Sequence, residues 1–310
     1  MTTNKTLLLI LGMHRSGTSL STGIISQLGI PLASSAHASA GEDNQKGYFE
    51  DLGLARLQND FLKRLDSHWA NPNILDLKSN QAVEITSEII EYLNQHLKGK
   101  ETLAIKDPRI CRLLPLWVAA TKQLNINLKT IFIYRDPHEV SDSLYRRDLF
   151  PRTLSNLLWH TYYSDALSCI IENNIDYHSL FFEEILSDPK IIGLTLEKMG
   201  ITRKAEIDSK LIDKSLVTQS NSCPPGELYQ TLIKNRSDAP QSLSKIKEST
   251  TLRSKEISDK DYHLLLEYMY SSLNLKEDSR RKILNLEWKI SALESARTNS
   301  IVHKLKNLLS

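Results

Sequence analysis

Leu7-Leu8-Leu9-Ile10-Leu11-Gly12-Met13-His14-Arg15-Ser16-Gly17-Thr18-Ser19 decides how this chain folds. Five consecutive apolar residues with no alternation predict a strand buried on both faces, the signature of a parallel sheet flanked by helices. Gly12 to Gly17 then reads as a turn, and Leu20, Ile24 and Leu28 recur at helical spacing until Gly29-Ile30-Pro31 stops the helix. Strand, glycine turn and helix together make the first half of a βαβ unit.

The same alternation continues along the chain. Leu54, Leu57, Phe61 and Leu65 mark one face of a helix, and Glu84 to Leu97 reads as another. Strands are predicted at Thr102–Ile105, Thr130–Tyr134 and Tyr177–Phe182, and helices around Pro115–Leu124, Leu154–Asn173 and Pro189–Met199. The helix after Tyr134 opens on Asp136-Pro137-His138-Glu139, where Asp136 suits the N-cap, Pro137 the first helical position and Glu139 a capping box. The fold class expected is a three-layer α/β/α sandwich on a central, mostly parallel sheet. Leu32 to Gly47, rich in Ala, Ser, Asp and Asn, reads as a mobile loop.

The pattern weakens after Asp213, with Pro224-Pro225-Gly226 as punctuation. Ile283, Leu286, Ile290 and Leu293 then repeat at three-four spacing, giving a seam of about two heptads. The domain expectation is a catalytic domain over residues 1–272 and a C-terminal helical extension over 273–310. That extension either docks on its own domain or forms a short coiled coil that mediates homo-oligomerisation.

Composition narrows the function. The 310 residues carry a net charge of +2, too balanced for a general nucleic-acid binder. Cys111, Cys169 and Cys223 are odd in number and far apart, fitting reduced thiols. No HExxH or CxxC spacing suggests a metal centre. The first apolar run is far shorter than a signal-peptide core or a membrane span, so a soluble cytoplasmic protein is expected.

In a parallel sheet the carboxyl ends of all strands open on one side, where ligands bind. Arg15, Lys106 and Arg135 stand at or just beyond three successive predicted strand ends. One of them lies in a glycine turn at a helix N-terminus, where free N–H groups and the helix dipole favour an anion. The turn nearly satisfies GxxxxGK[ST], but Thr18 occupies the lysine position and the cation is moved to Arg15. That breaks the usual arrangement for a Mg²⁺-bound nucleoside triphosphate and better suits an ester that needs no metal.

These residues resemble the sulfotransferases that use 3′-phosphoadenylyl sulfate (PAPS). Arg15-Ser16-Gly17-Thr18-Ser19 is similar to that family's 5′-phosphosulfate loop, in the form with Arg known from tyrosylprotein sulfotransferases. Arg135 and Ser143, eight apart, resemble its 3′-phosphate motif, and Lys106-Asp107-Pro108-Arg109 resembles a segment of bacterial carbohydrate sulfotransferases. The resemblance covers roughly residues 5 to 200. It implies a P-loop-like fold, PAPS as donor, a hydroxyl acceptor, most readily a saccharide, and catalytic parts for Arg15 and Lys106. A general base is also implied. The cytosolic branch has a histidine where this chain has Pro108, so the base falls to Glu50, with Glu42 second; Glu50 reads equally as a helix cap.

Other positions stay open at this level. Arg109 either holds an anionic acceptor or pairs with Asp107, and His14 either packs under the loop or acts as base. Phe182 either stacks on adenine or belongs to the core, Trp117 and Trp159 read as core, and Lys234 and Arg236 stand in weakly for a C-terminal basic motif. Two competing functions are a phosphotransferase with an altered loop and a non-catalytic, nucleotide-binding assembly protein.

Overall fold

The computed structural model describes residues 5–33 and 51–206. Four strands, β1 (Thr6–Leu11), β2 (Thr102–Lys106), β3 (Asn127–Tyr134) and β4 (Asp176–Phe181), form one parallel sheet in the order β2-β1-β3-β4. Residues 31–33 run along the outer edge of β2, where Ala104 N–H donates to the Pro31 carbonyl at 2.8 Å. The chain leaves β1 towards β2 and then crosses back to β3 on the other side. The strand order therefore reverses at β1, the position where open α/β sheets hold their ligands.

Eight helices occur among the described residues: α1 (Thr18–Gln27), α2 (Leu52–Arg64), α3 (Asn80–His96), α4 (Ile110–Gln123), α5 (Pro137–Asp148), α6 (Arg152–Glu172), α7 (Phe182–Ser187) and α8 (Lys190–Lys198). Leu7 to Leu11 are all completely buried, as an unalternating apolar strand requires. On one face of the sheet Leu8, Ile10, Ile131, Ile133 and Leu180 pack with Ile24, Ile25 and Leu28 of α1 and Ile192 and Leu196 of α8. On the other face Phe132 and Tyr134 meet Tyr163 of α6 with ring centroids 5.4 and 5.0 Å apart, and Trp159 lies 4.4 Å from Tyr163. The result is an α/β/α arrangement around a central parallel sheet.

Three elements depart from the sequence expectation. α4 begins at Ile110, not near Pro115, because Asp107 accepts the Arg109 N–H at 2.8 Å and starts the turn early; Pro115 then lies inside the helix. α3 begins at Asn80, where Ser79 caps it through the Ala82 N–H. Phe182 opens the short helix α7 instead of ending β4, and the Glu184 carboxylate accepts the Phe181 N–H at 3.2 Å.

Residues 141–157 belong to a second unit. Within it Arg152 pairs with Asp142 at 2.8 Å and Arg147 with Asp148 at 2.6 Å. The helical seam over Ile283–Leu293 and the division at residue 272 lie outside the described residues, as do Lys234, Arg236 and most of the loop expected over Leu32–Gly47. No helix among the described residues is long and apolar enough to cross a membrane.

Gly12 shows why β1 must end as it does. Its φ is +152°, and a Cβ there would come within 2.8 Å of the Ile133 carbonyl oxygen on the neighbouring strand. Backbone cannot yield as a flexible side chain can. Gly12→Ala is expected to destabilise the fold by ~1–3 kcal/mol, read as a lower urea midpoint at unchanged slope.

Candidate functional site

The turn after β1 is built on two left-handed residues, Arg15 at φ 67° and Gly17 at φ 89°. Gly17 is the N-cap of α1 and provides no side-chain cap, so the first-turn N–H groups of α1 are left to a ligand or water. Ser16 is fully buried, and its N–H donates to the Met13 carbonyl at 3.2 Å. Its hydroxyl oxygen lies 3.0 Å from the Tyr163 hydroxyl, which donates to the Ile133 carbonyl at 2.7 Å. The Gly12 N–H donates to the Cys111 sulfur at 3.3 Å, and burial pushes that thiol up to about 12. Cys111 is thus a neutral acceptor beneath the turn, not a nucleophile.

The two strands beside β1 each send a cation to this turn. Lys106, the last residue of β2, donates from Nζ to the Ser19 hydroxyl at 3.0 Å. Arg135, just past β3, donates from Nη1 to the Arg15 carbonyl at 3.1 Å. Arg15, Ser16, Gly17, Thr18, Ser19, Lys106 and Arg135 are therefore gathered at adjoining strand ends. Ser143 stands on α5 in the second unit, and its part in a site rests on the sequence alone. Glu42 and Glu50 lie outside the described residues.

Several of the residues left open by the sequence can now be placed. Arg109 Nη1 contacts both oxygens of the buried Asp107 carboxylate, at 3.0 and 2.8 Å, and its Nε donates to Asn59 of α2 at 2.8 Å. It joins α2 to the turn after β2. His14 packs its ring against Trp69 at 4.7 Å and Tyr162 at 5.9 Å. The N-cap of α2, one of two readings for Glu50, belongs to its neighbour Asp51, which accepts the N–H groups of Gly53 and Leu54 at 2.7 and 3.2 Å. The Asp51 carboxylate also accepts the Tyr92 hydroxyl at 3.3 Å; burial first, then that negative charge, raise the Tyr92 pKa far above the ordinary phenol value. Trp117 and Trp159 are completely buried, as expected for core residues.

Three residues of this region carry parts that sequence reading did not assign. Glu139 was legible as half of a capping box, but its carboxylate turns to Arg135 Nε at 2.9 Å, while Asp136 alone accepts the His138 and Glu139 N–H groups. The i,i+4 spacing of Arg135 and Glu139 was the available signal. Phe182 places its ring 4.4 Å from the Arg135 guanidinium carbon. Tyr163 under Ser16 had no sequence signal beyond its place on an apolar helix. Among the described residues no group of three or more His, Cys, Asp or Glu side chains is arranged to hold a metal ion.

No family model and no curated protein matches the chain. Among solved structures it is similar to the sulfotransferase domain from the Synechococcus PCC 7002 olefin synthase, at 17% identity and a TM-score of 0.37, over 67% of this chain and 76% of that one. At that level of overlap the site is interpreted from its own residues.

Proposed function

We propose that this chain is a sulfotransferase that moves a sulfuryl group from PAPS to a hydroxyl, with a saccharide as the acceptor class. The observation that carries the reading is the meeting of cations from β2 and β3 on the turn after β1. Lys106 reaches Ser19 on one flank and Arg135 reaches the Arg15 carbonyl on the other. A donor with a 5′-phosphosulfate and a 3′-phosphate needs two anion pockets about one ribose apart. The amides at the start of α1 with Arg15 would take the first, and Arg135 at the start of α5 the second.

The reaction is an in-line displacement. The acceptor oxygen forms a bond to sulfur while the bond from sulfur to the bridging phosphate oxygen breaks. The acceptor proton passes to a carboxylate, for which Glu50 is proposed and Glu42 is second, and adenosine 3′,5′-bisphosphate departs. Arg15 and Lys106 serve to stabilise charge on the departing phosphate. Thr18 in the usual lysine position leaves the turn without the residue that grips a γ-phosphate, which favours a metal-independent donor over a nucleoside triphosphate.

Titration with adenosine 3′,5′-bisphosphate in the presence of a chelator, followed by transfer from a radiolabelled donor to a panel of saccharides, tests the reading. Binding only of ATP, and only with Mg²⁺, would replace it with a phosphotransferase. Arg135→Ala is expected to weaken the bisphosphate by ~10–100-fold, the worth of charge-assisted hydrogen bonds, and to erase the preference over adenosine 5′-phosphate. Equal affinity in both proteins would remove Arg135 from the donor site.

A further inference from the structure

Arg15 is strained at its backbone. A left-handed conformation costs an L-residue ~1–2 kcal/mol, and Arg15 holds it at φ 67° with left-handed Gly17 two residues on. Something nearby must fix the peptide between Arg15 and Ser16. Arg135 does so directly, since its Nη1 donates to the Arg15 carbonyl at 3.1 Å. Arg135 is in turn held at three points, two on its side chain and one on its backbone. Glu139 accepts from Nε at 2.9 Å, the backbone carbonyl of Arg135 accepts the Trp159 indole N–H at 3.1 Å, and the Phe182 ring lies 4.4 Å away.

Phe182 also touches the turn itself. A Cβ on Gly17 would fall 2.2 Å from Phe182 Cδ2 and 2.6 Å from Cε2, so the ring edge fills the space that glycine leaves. One buried ring thus bears on the turn at Gly17 and on the arginine that holds Arg15.

We infer that Phe182 is a positioning residue for the glycine turn: it locks the Gly17 backbone by contact and, through Arg135, keeps the Arg15 carbonyl from turning over. The ring is thereby used in the interior and is not a platform for a purine. A consequence is that Arg135 belongs to both anion pockets, setting the shape of the first while facing the second. This deepens the donor reading and rests on it only for the choice of ligand.

Hydrogen exchange on the full chain tests it without any ligand. Phe182→Leu is expected to speed exchange of residues 12–20 by ~10-fold or more while β2 and β3 keep their protection, the pattern of local opening rather than global unfolding. Phe182→Tyr, which retains the ring, should leave exchange as in the wild type. Phe182→Met, which keeps an apolar side chain of similar length without the ring, should reproduce the Phe182→Leu pattern and serves if that variant fails to fold. Unchanged exchange in the turn, or faster exchange spread evenly over the sheet, overturns the inference. With adenosine 3′,5′-bisphosphate as probe, Phe182→Leu should bind ~10-fold more weakly and Phe182→Tyr normally. A wild-type chain with a protected turn but no affinity for that probe would sink the donor reading, and the exchange data would still decide the part played by Phe182.

Discussion

Arg15→Ala is expected to lower the rate of sulfuryl transfer at saturating donor by ~10²–10³-fold, the loss seen when one donor aimed at developing charge is removed from a water-poor site. The variant should fold normally. Alanine carries the same Cβ into the same left-handed backbone, so the conformational cost at φ 67° is unchanged to first order. The contact that Arg135 makes is to the Arg15 carbonyl, which any residue provides. The substitution therefore removes the guanidinium and leaves the carbonyl contact in place. Arg15→Gly offers an internal check, because glycine relieves the left-handed strain and should raise the urea midpoint above that of Arg15→Ala while remaining equally inactive. Arg15→Lys restores charge without the planar fork and should recover only part of the rate. A rate for Arg15→Ala within threefold of the wild type would take this side chain out of the mechanism.

The parallel sheet could be read from the chain because its signal is local. Leu7 to Leu11 have no polar residue to place towards solvent, so a doubly covered strand is the one extended structure that hides them all. Strand ends followed at once, and with them the neighbourhood of Arg15, Lys106 and Arg135. The partners of those cations were less visible, because they depend on contacts distant in sequence. Nothing near Phe182 says that its ring will lie over Gly17, 165 positions earlier, and no periodicity places Tyr163 under Ser16. Arg109 illustrates the opposite case: its binding to Asp107 was one of two local readings, and only the burial of that carboxylate chooses between them. The start of α4 was misplaced because Pro115 reads as a first-turn residue, whereas Asp107 and the buried Ile110, Leu113 and Leu114 begin the helix one turn sooner. Pairwise geometry, not residue type, held back the remainder.

Asp165→Ala is expected to cost ~3–5 kcal/mol of stability, the largest effect on folding of any single substitution proposed for this chain. Arg112 lies in the first turn of α4 with a fully covered side chain, an uncommon place for a guanidinium. Its Nε donates to the Asp165 carboxylate of α6 at 2.5 Å, and its two terminal nitrogens donate to the carbonyls of Asn71 and Asn73. The connection between α2 and α3 is thereby strapped to α4, and the Tyr162 hydroxyl adds a bond to the Trp69 carbonyl at 2.6 Å. Trp69 in turn packs on His14, beside Arg15, so the strap forms one wall of the glycine turn. Removing Asp165 leaves a buried positive charge with two neutral carbonyls and the Tyr162 ring, 5.9 Å away, but no anion to balance it. Removing Arg112 is a different injury, because Asp165 is 31% exposed and water can replace its partner, while the two carbonyls lose their donors. Arg112→Met should thus be milder than Asp165→Ala, and combining the two should be less harmful than their sum, since the stranded charge is gone. Urea unfolding of the three variants measures each term. A cost below ~1 kcal/mol for Asp165→Ala would mean that the guanidinium reaches solvent without its carboxylate, and the wall beside His14 would then owe nothing to this ion pair.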